Sequence, residues 1–121
     1  MYIKSIEWMD KDAREAILTV SDGIQELVCF CHPCFYHIND TVSEPLKCLD
    51  VKDIIVSRAN IYDIKSKTGT LNYKLMGELI NAQAGLIKVY SFYLHIDEKK
   101  LPKDLIDGNH VQFTVSRIDV W

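Results

Sequence analysis

The strongest constraint on the fold is a two-residue alternation of apolar and polar side chains. It runs through residues 15–21, EAILTVS, where Ala16, Leu18 and Val20 share one face, and resumes over 24–31, IQELVCFC. Asp22-Gly23 separates the two runs. Glycine tolerates the positive φ that tight hairpin turns need, so this dipeptide between β-rich runs predicts a hairpin.

The same period continues downstream. β-Rich runs occupy 54–57, 61–64, 72–83, 86–97 and 108–121. Residues 86–96 are predicted as one strand, with Leu86, Tyr90 and Phe92 on its core face. Gly77 lies inside its run, which indicates a bulge or a bend in the strand.

Helical signals are short. Residues 9–17 could form one turn capped by Asp10 or Asp12, and residues 97–107 another, with Pro102 at the first helical position. We therefore predict one mainly β domain, 1–121, with about six to eight strands and one or two helical turns. The favoured architecture is a single closed or partly open antiparallel barrel of the OB-like Greek-key type. A two-sheet β-sandwich is the alternative.

Length and charge narrow the classes of protein. The 121 residues suffice for one domain, and 48% of them are hydrophobic, as in a chain that buries a core. No apolar run approaches the roughly 20 residues of a membrane helix, and the charged N-terminus lacks a signal-peptide pattern. We expect a cytoplasmic protein with reduced thiols and no membrane partner.

Two stretches carry a resemblance to known proteins, AILTVSDGIQELVCFCHPC at 16–34 and LPKDLIDGNHVQFTVSRIDVW at 101–121. Their sequence pattern is similar to that of small bacterial β-barrel proteins of uncharacterised function. In size and acidity the chain also resembles the immunity proteins that neutralise bacterial toxins, including those of contact-dependent growth inhibition. The second resemblance implies a toxin-binding inhibitor and supplies no functional residue.

Residues 29–37, CFCHPCFYH, concentrate soft ligands. A structural zinc ion takes four of them, and the feasible set is Cys31, Cys34, His37 and Cys48. Bulky neighbours and Pro33 are atypical of a zinc knuckle, and a redox Cys-x-x-Cys needs a helix that is not predicted. We expect Cys29 and Cys31 to pack inward and no metal or other cofactor to bind, with the zinc domain as an alternative.

No motif for catalysis stands out. The chain has no Gly-rich phosphate loop, no Gly-x-Ser-x-Gly and no His-Glu-x-x-His. Its four histidines are scattered, and no third group is implied that would orient a Cys–His pair. We predict that the protein is not an enzyme and has no catalytic residues.

The charge distribution indicates a protein partner. Residues 1–60 hold six Lys/Arg against ten Asp/Glu, although the whole chain is only −3. An acidic face on a rigid β domain suits a basic partner, such as a toxin nuclease, whose cleft it would cover. The residues predicted to bind it are Asp10, Asp12, Glu15, Asp40, Glu44, Asp50 and Asp53.

The second hypothesis is binding of nucleic acid by an OB-type surface. Such surfaces stack bases on exposed rings and follow the phosphates with Lys or Arg. The second half of the chain offers these residue types at Tyr62, Lys65, Lys67, Lys88 and Tyr93. The acidic balance of the whole chain places this hypothesis behind the protein partner.

Overall fold

The computed structural model describes all residues, 1–121, and contains eleven strands. They are β1 (Tyr2–Asp10), β2 (Glu15–Ser21), β3 (Glu26–Cys31), β4 (Leu46–Leu49), β5 (Lys52–Val56), β6 (Asp63–Ser66), β7 (Tyr73–Asn81), β8 (Leu86–Val89), β9 (Phe92–His95), β10 (His110–Val115) and β11 (Arg117–Asp119). One three-residue 3₁₀ turn, Glu98–Lys100, precedes β10. The mainly β prediction is confirmed, with more and shorter strands than expected.

All eleven strands belong to one sheet. Its order is β1-β2-β3-β11-β4-β9-β8-β7-β10-β5, and β6 also pairs with β7. Most pairs are antiparallel, but β11 runs parallel to β3 and β4 runs parallel to β9. The terminal strands β1 and β5 are not joined, so the sheet is neither closed into a barrel nor divided into two sheets. Two-residue alternation defines the two faces of each strand, but it does not determine which strands pair with one another.

The core is a single cluster of 27 buried apolar side chains. The face predicted for β2 is buried at Ala16, Leu18 and Val20, and Cys29 and Cys31 of β3 point inward as expected. The period-two prediction is thereby confirmed for the first hairpin. Its turn also forms as predicted: Gly23 has φ +98°, and the Asp22 carboxylate accepts hydrogen bonds from the Ile24 and Gln25 amides at 2.9 and 2.7 Å.

The prediction of one strand over residues 86–96 is wrong. Tyr90 and Ser91 form a tight turn between β8 and β9, and Val89 pairs with Phe92 across it. The turn exchanges the faces, so Ile87 and Val89 are the buried residues before it. Tyr90 takes φ +52° there. A tyrosine at a position that favours glycine or asparagine gives no turn signal in the sequence.

The helical turns differ from expectation. Residues 11–14 form the tip of the β1–β2 hairpin, where the Asp10 carboxylate accepts a hydrogen bond from the Ala13 amide at 3.0 Å. Asp10 therefore caps a hairpin turn and no helix. In the second segment the 3₁₀ turn is capped by Asp97 and ends before Pro102. No helix has the length and apolar character needed to cross a membrane.

Gly77 marks a close approach of two strands and no bulge. Its pairing with Val111 of β10 is in regular register. A Cβ atom at Gly77 would clash with the carbonyl oxygen of Lys88 and lie 2.7 Å from Val89 Cγ2. Only glycine lets β7 and β8 pack this closely.

Candidate anion-binding face

One row of matched residues crosses four neighbouring strands. Thr114 of β10 lies opposite Lys52 of β5 on one side and Lys74 of β7 on the other, and Lys74 lies opposite Lys65 of β6. Residues directly opposite each other in a sheet project from the same face. The three lysines of the row are exposed, so this face presents a line of ammonium groups to solvent.

The row borders a groove of about 390 Å³. We call it the lysine groove, defined by Lys52, Lys65, Lys67 and Lys74; its polar lining also includes Ser66, Asn72, Thr114 and Ser116. Asp50 contributes the only carboxylate of the lining, and it accepts a hydrogen bond from the Ser116 hydroxyl at 2.8 Å. Four cations and one carboxylate therefore line the groove, and its net charge is positive.

The lysine groove is poorly neutralised by the protein itself. Lys65 Nζ lies 3.5 Å from an Asp63 carboxylate oxygen, but Lys52, Lys67 and Lys74 form no ion pair. Like charges placed directly opposite, as Lys65 and Lys74 are, destabilise a sheet. A bound anion would relieve that repulsion.

A second row connects the lysine groove to an aromatic surface. His110 of β10 lies opposite Glu78 of β7, Glu78 opposite Lys88 of β8, and Lys88 opposite Tyr93 of β9. Glu78 is four residues from Lys74 on the same strand, so both rows project from one face. Tyr93 is 43% exposed there.

Tyr62 lies beside this second row. Its ring is 5.5 Å from the ring of Tyr90 and 6.1 Å from that of His110, measured between centroids. The five residues of the nucleic-acid hypothesis, Tyr62, Lys65, Lys67, Lys88 and Tyr93, are therefore brought to one side of the sheet.

The seven acidic residues predicted to bind a protein lie in three separate places. Asp10, Asp12 and Glu15 surround the tip of the β1–β2 hairpin, Asp40 and Glu44 belong to the 32–45 segment, and Asp50 and Asp53 lie at the β4–β5 connection. The Asp40 carbonyl accepts a hydrogen bond from the Ile3 amide. Because Ile3 and Asp10 are seven residues apart on β1, the first two groups are separated by roughly 23 Å of strand. The protein partner stays a prediction, without the single acidic face expected for it.

The fold separates the cysteines of residues 29–37 from the histidines. All four cysteines are free and buried, whereas the His37 side chain is 86% exposed beside Asp40. No three His, Cys, Asp or Glu side chains are arranged to hold a metal ion, so the zinc set Cys31, Cys34, His37 and Cys48 is not assembled. Burial raises the pKa of Cys31 and of Cys48 to about 12, which keeps both thiols protonated at neutral pH.

Two lysines and the central threonine of the face were not among the candidate residues. Lys52, Lys74 and Thr114 come from three distant parts of the sequence, and only strand register places them side by side. The polar alternation of Gln112, Thr114 and Ser116 gave a signal for the exposed face of β10. The same alternation does not indicate which strands lie beside β10.

Comparisons with protein-family models, with curated proteins and with solved structures find no match.

Proposed function

We propose that this protein binds single-stranded nucleic acid across its exposed sheet face, with the lysine groove on the phosphates and the adjoining tyrosines against the bases. The observation that carries the proposal is the cross-strand row Lys52–Thr114–Lys74–Lys65. Its lysines start from neighbouring positions across the strands, so their ammonium groups can follow the phosphates of an extended strand.

The dimensions of the row suit an extended polyanion. Neighbouring strands lie about 4.8 Å apart, so the three strand intervals from Lys52 to Lys65 span roughly 14 Å. That length accommodates more than one phosphate. Lysine contacts phosphate without reading sequence, so the proposal predicts binding with little sequence preference.

The aromatic residues favour a single strand over a duplex. Tyr93 offers an exposed ring, and Tyr62 is a half-buried ring held against Tyr90. Unpaired bases stack on such rings, whereas the bases of a duplex are stacked on each other. The structure also has no long helix of the kind that enters a major groove.

The proposal extends to the fold. An OB-like arrangement, left open between β1 and β5, would place nucleic acid across the strands, in the direction in which the lysine row crosses β5, β10, β7 and β6.

The net charge of −3 opposes binding at long range. We therefore expect modest affinity that falls steeply as salt is added.

Fluorescence anisotropy of a labelled single-stranded oligonucleotide of about 12 nucleotides tests the proposal. The K65E/K74E variant should bind roughly tenfold more weakly or worse. The matched control is K99E/K103E, which reverses two exposed lysines outside the lysine groove and outside the pocket that Lys47 and His95 line. Equal losses in the two variants would show a general charge effect and would overturn the assignment of the site.

A further inference from the structure

An exposed tryptophan is fixed in place on the same face of the sheet. The Trp121 side chain is 74% exposed, yet its backbone carbonyl accepts a hydrogen bond from the Tyr36 hydroxyl at 2.7 Å. Lys47 Nζ lies 4.1 Å from the centroid of the indole ring. The ring is therefore held by Lys47 while most of its surface stays open to solvent.

Strand register connects Trp121 to the second row. Lys47 of β4 lies opposite His95 of β9, and His95 is two residues from Tyr93. Lys47, His95 and Tyr93 therefore project from one face, the face of the lysine groove. Along the curved surface of the sheet, the path from β7 to β4 crosses three strand intervals, about 14 Å measured between the backbones.

The Lys47 ammonium at the indole ring favours an anionic, flat ligand. Asp119 also lies opposite Lys47, but its carboxylate is engaged by Arg117 at 2.7 and 3.0 Å. Lys47 forms no ion pair and lies over one face of the indole. The other face of the ring stays available for stacking.

We propose that Trp121 and Lys47 form a second subsite, in which a base of the bound single strand stacks on the free face of the indole and Lys47 contacts the adjoining phosphate. The inference rests on the proposed nucleic-acid function and deepens it. The strand would run from the lysine groove past Lys88 and Tyr93 to Trp121.

Intrinsic fluorescence tests the subsite directly. The chain has two tryptophans, Trp8 and Trp121, so the Trp8→Phe variant leaves Trp121 as the only indole. An oligothymidylate long enough to reach from the groove should quench its emission, and a dinucleotide should quench it far less. Unchanged emission at saturation, measured in parallel by anisotropy, would overturn the subsite.

Substitution supplies a second readout. Trp121→Ala should weaken binding of the oligothymidylate by roughly five- to a hundredfold, as loss of one base–aromatic stack does, and Trp121→Phe by much less. The matched control is Phe35→Ala, because Phe35 is also exposed, at 64%, and also lies under a cation, Arg14, but at the acidic hairpin tip.

The outcomes separate the two proposals. If Trp121→Ala binds like the parent while K65E/K74E does not bind, the groove stands and the subsite is wrong. If Trp121→Ala abolishes binding and K65E/K74E has no effect, Trp121 belongs to another surface and the continuous path is wrong. If Phe35→Ala and Trp121→Ala lose affinity equally, the effect is unspecific and the subsite is wrong. Absence of any oligonucleotide binding by the parent would overturn both.

Discussion

The backbone amide of Val28 donates a hydrogen bond of 2.8 Å to the hydroxyl of Tyr73. Val28 lies on β3 and Tyr73 at the start of β7, and four strands separate β3 from β7 in the sheet order. The sheet must curl for these two residues to meet. Tyr73 thus links two distant parts of the sheet through its side chain, where no strand pairing does.

Tyr73→Phe should therefore destabilise the protein by about 1–2 kcal/mol, since it leaves the Val28 amide without a partner in a partly buried position. Urea denaturation measures the change. Tyr90→Phe is the control: the Tyr90 hydroxyl donates to the Tyr62 carbonyl at 3.1 Å within a turn that water reaches. Its cost should be smaller, and a reversed order would contradict the role given to Tyr73.

Lys74→Glu should separate stability from binding. The new carboxylate would lie opposite Lys65, so a repulsive pair becomes an attractive one and the free energy of unfolding rises by about 0.5 kcal/mol. The same change should weaken oligonucleotide binding. Thermal melts and anisotropy on one preparation test both effects, and a variant that loses stability would argue against repulsion in the lysine groove.

Two glycines should respond to alanine for different reasons. Gly77→Ala drives a methyl group into the Lys88 carbonyl and should cost about 3 kcal/mol. Gly23→Ala meets open space but keeps φ at +98°, and should cost about 1 kcal/mol. Chemical denaturation of both variants gives the comparison. Equal costs would mean that β7 and β8 can separate to admit the methyl group.

Much of this fold could be predicted from the alternation of side chains. The β2–β3 hairpin, its Asp22-Gly23 turn and the inward thiols Cys29 and Cys31 follow from local pattern alone. Strands β1 and β4 could not be predicted in this way. Tyr2–Asp10 buries only Ile3 and shows no regular alternation, and Leu46–Leu49 is too short to show a period.

The candidate site, like the fold, could be predicted from the sequence only in part. Lys65 and Lys67 were identified because they lie near aromatic residues in the sequence. Lys52 became visible only through its pairing with Thr114, 62 residues later, and no local pattern specifies a register over that distance. The scattered acidic groups illustrate the converse, since an acidic half of a sequence need not form one acidic face.

Stability should fall at alkaline pH through the buried thiols. Burial raises the pKa of Cys48 to about 12 from an ordinary value of 9.0. Between these values the unfolded chain releases the thiol proton and the folded chain retains it, so stability present below pH 9 is lost as the pH rises. The expected slope is about 1.4 kcal/mol per pH unit for this thiol.

Urea midpoints between neutral pH and pH about 11 measure that loss. Other groups also titrate in this range, so the informative quantity is the difference between the parent and Cys48→Ala. The variant should be less stable at neutral pH because of the lost packing, yet should lose less stability on going to alkaline pH. Parallel curves would show that Cys48 is not kept protonated by the fold.

The salt dependence of oligonucleotide affinity measures the contacts between the lysine groove and phosphates. If the four lysines of the groove each displace a counterion, they should contribute about −2.8 to the slope of the logarithm of the association constant against the logarithm of salt concentration. Lys74→Gln should reduce that slope by about 0.7. Binding whose slope is unchanged by Lys74→Gln, or no binding at low salt, would contradict a phosphate-binding lysine groove.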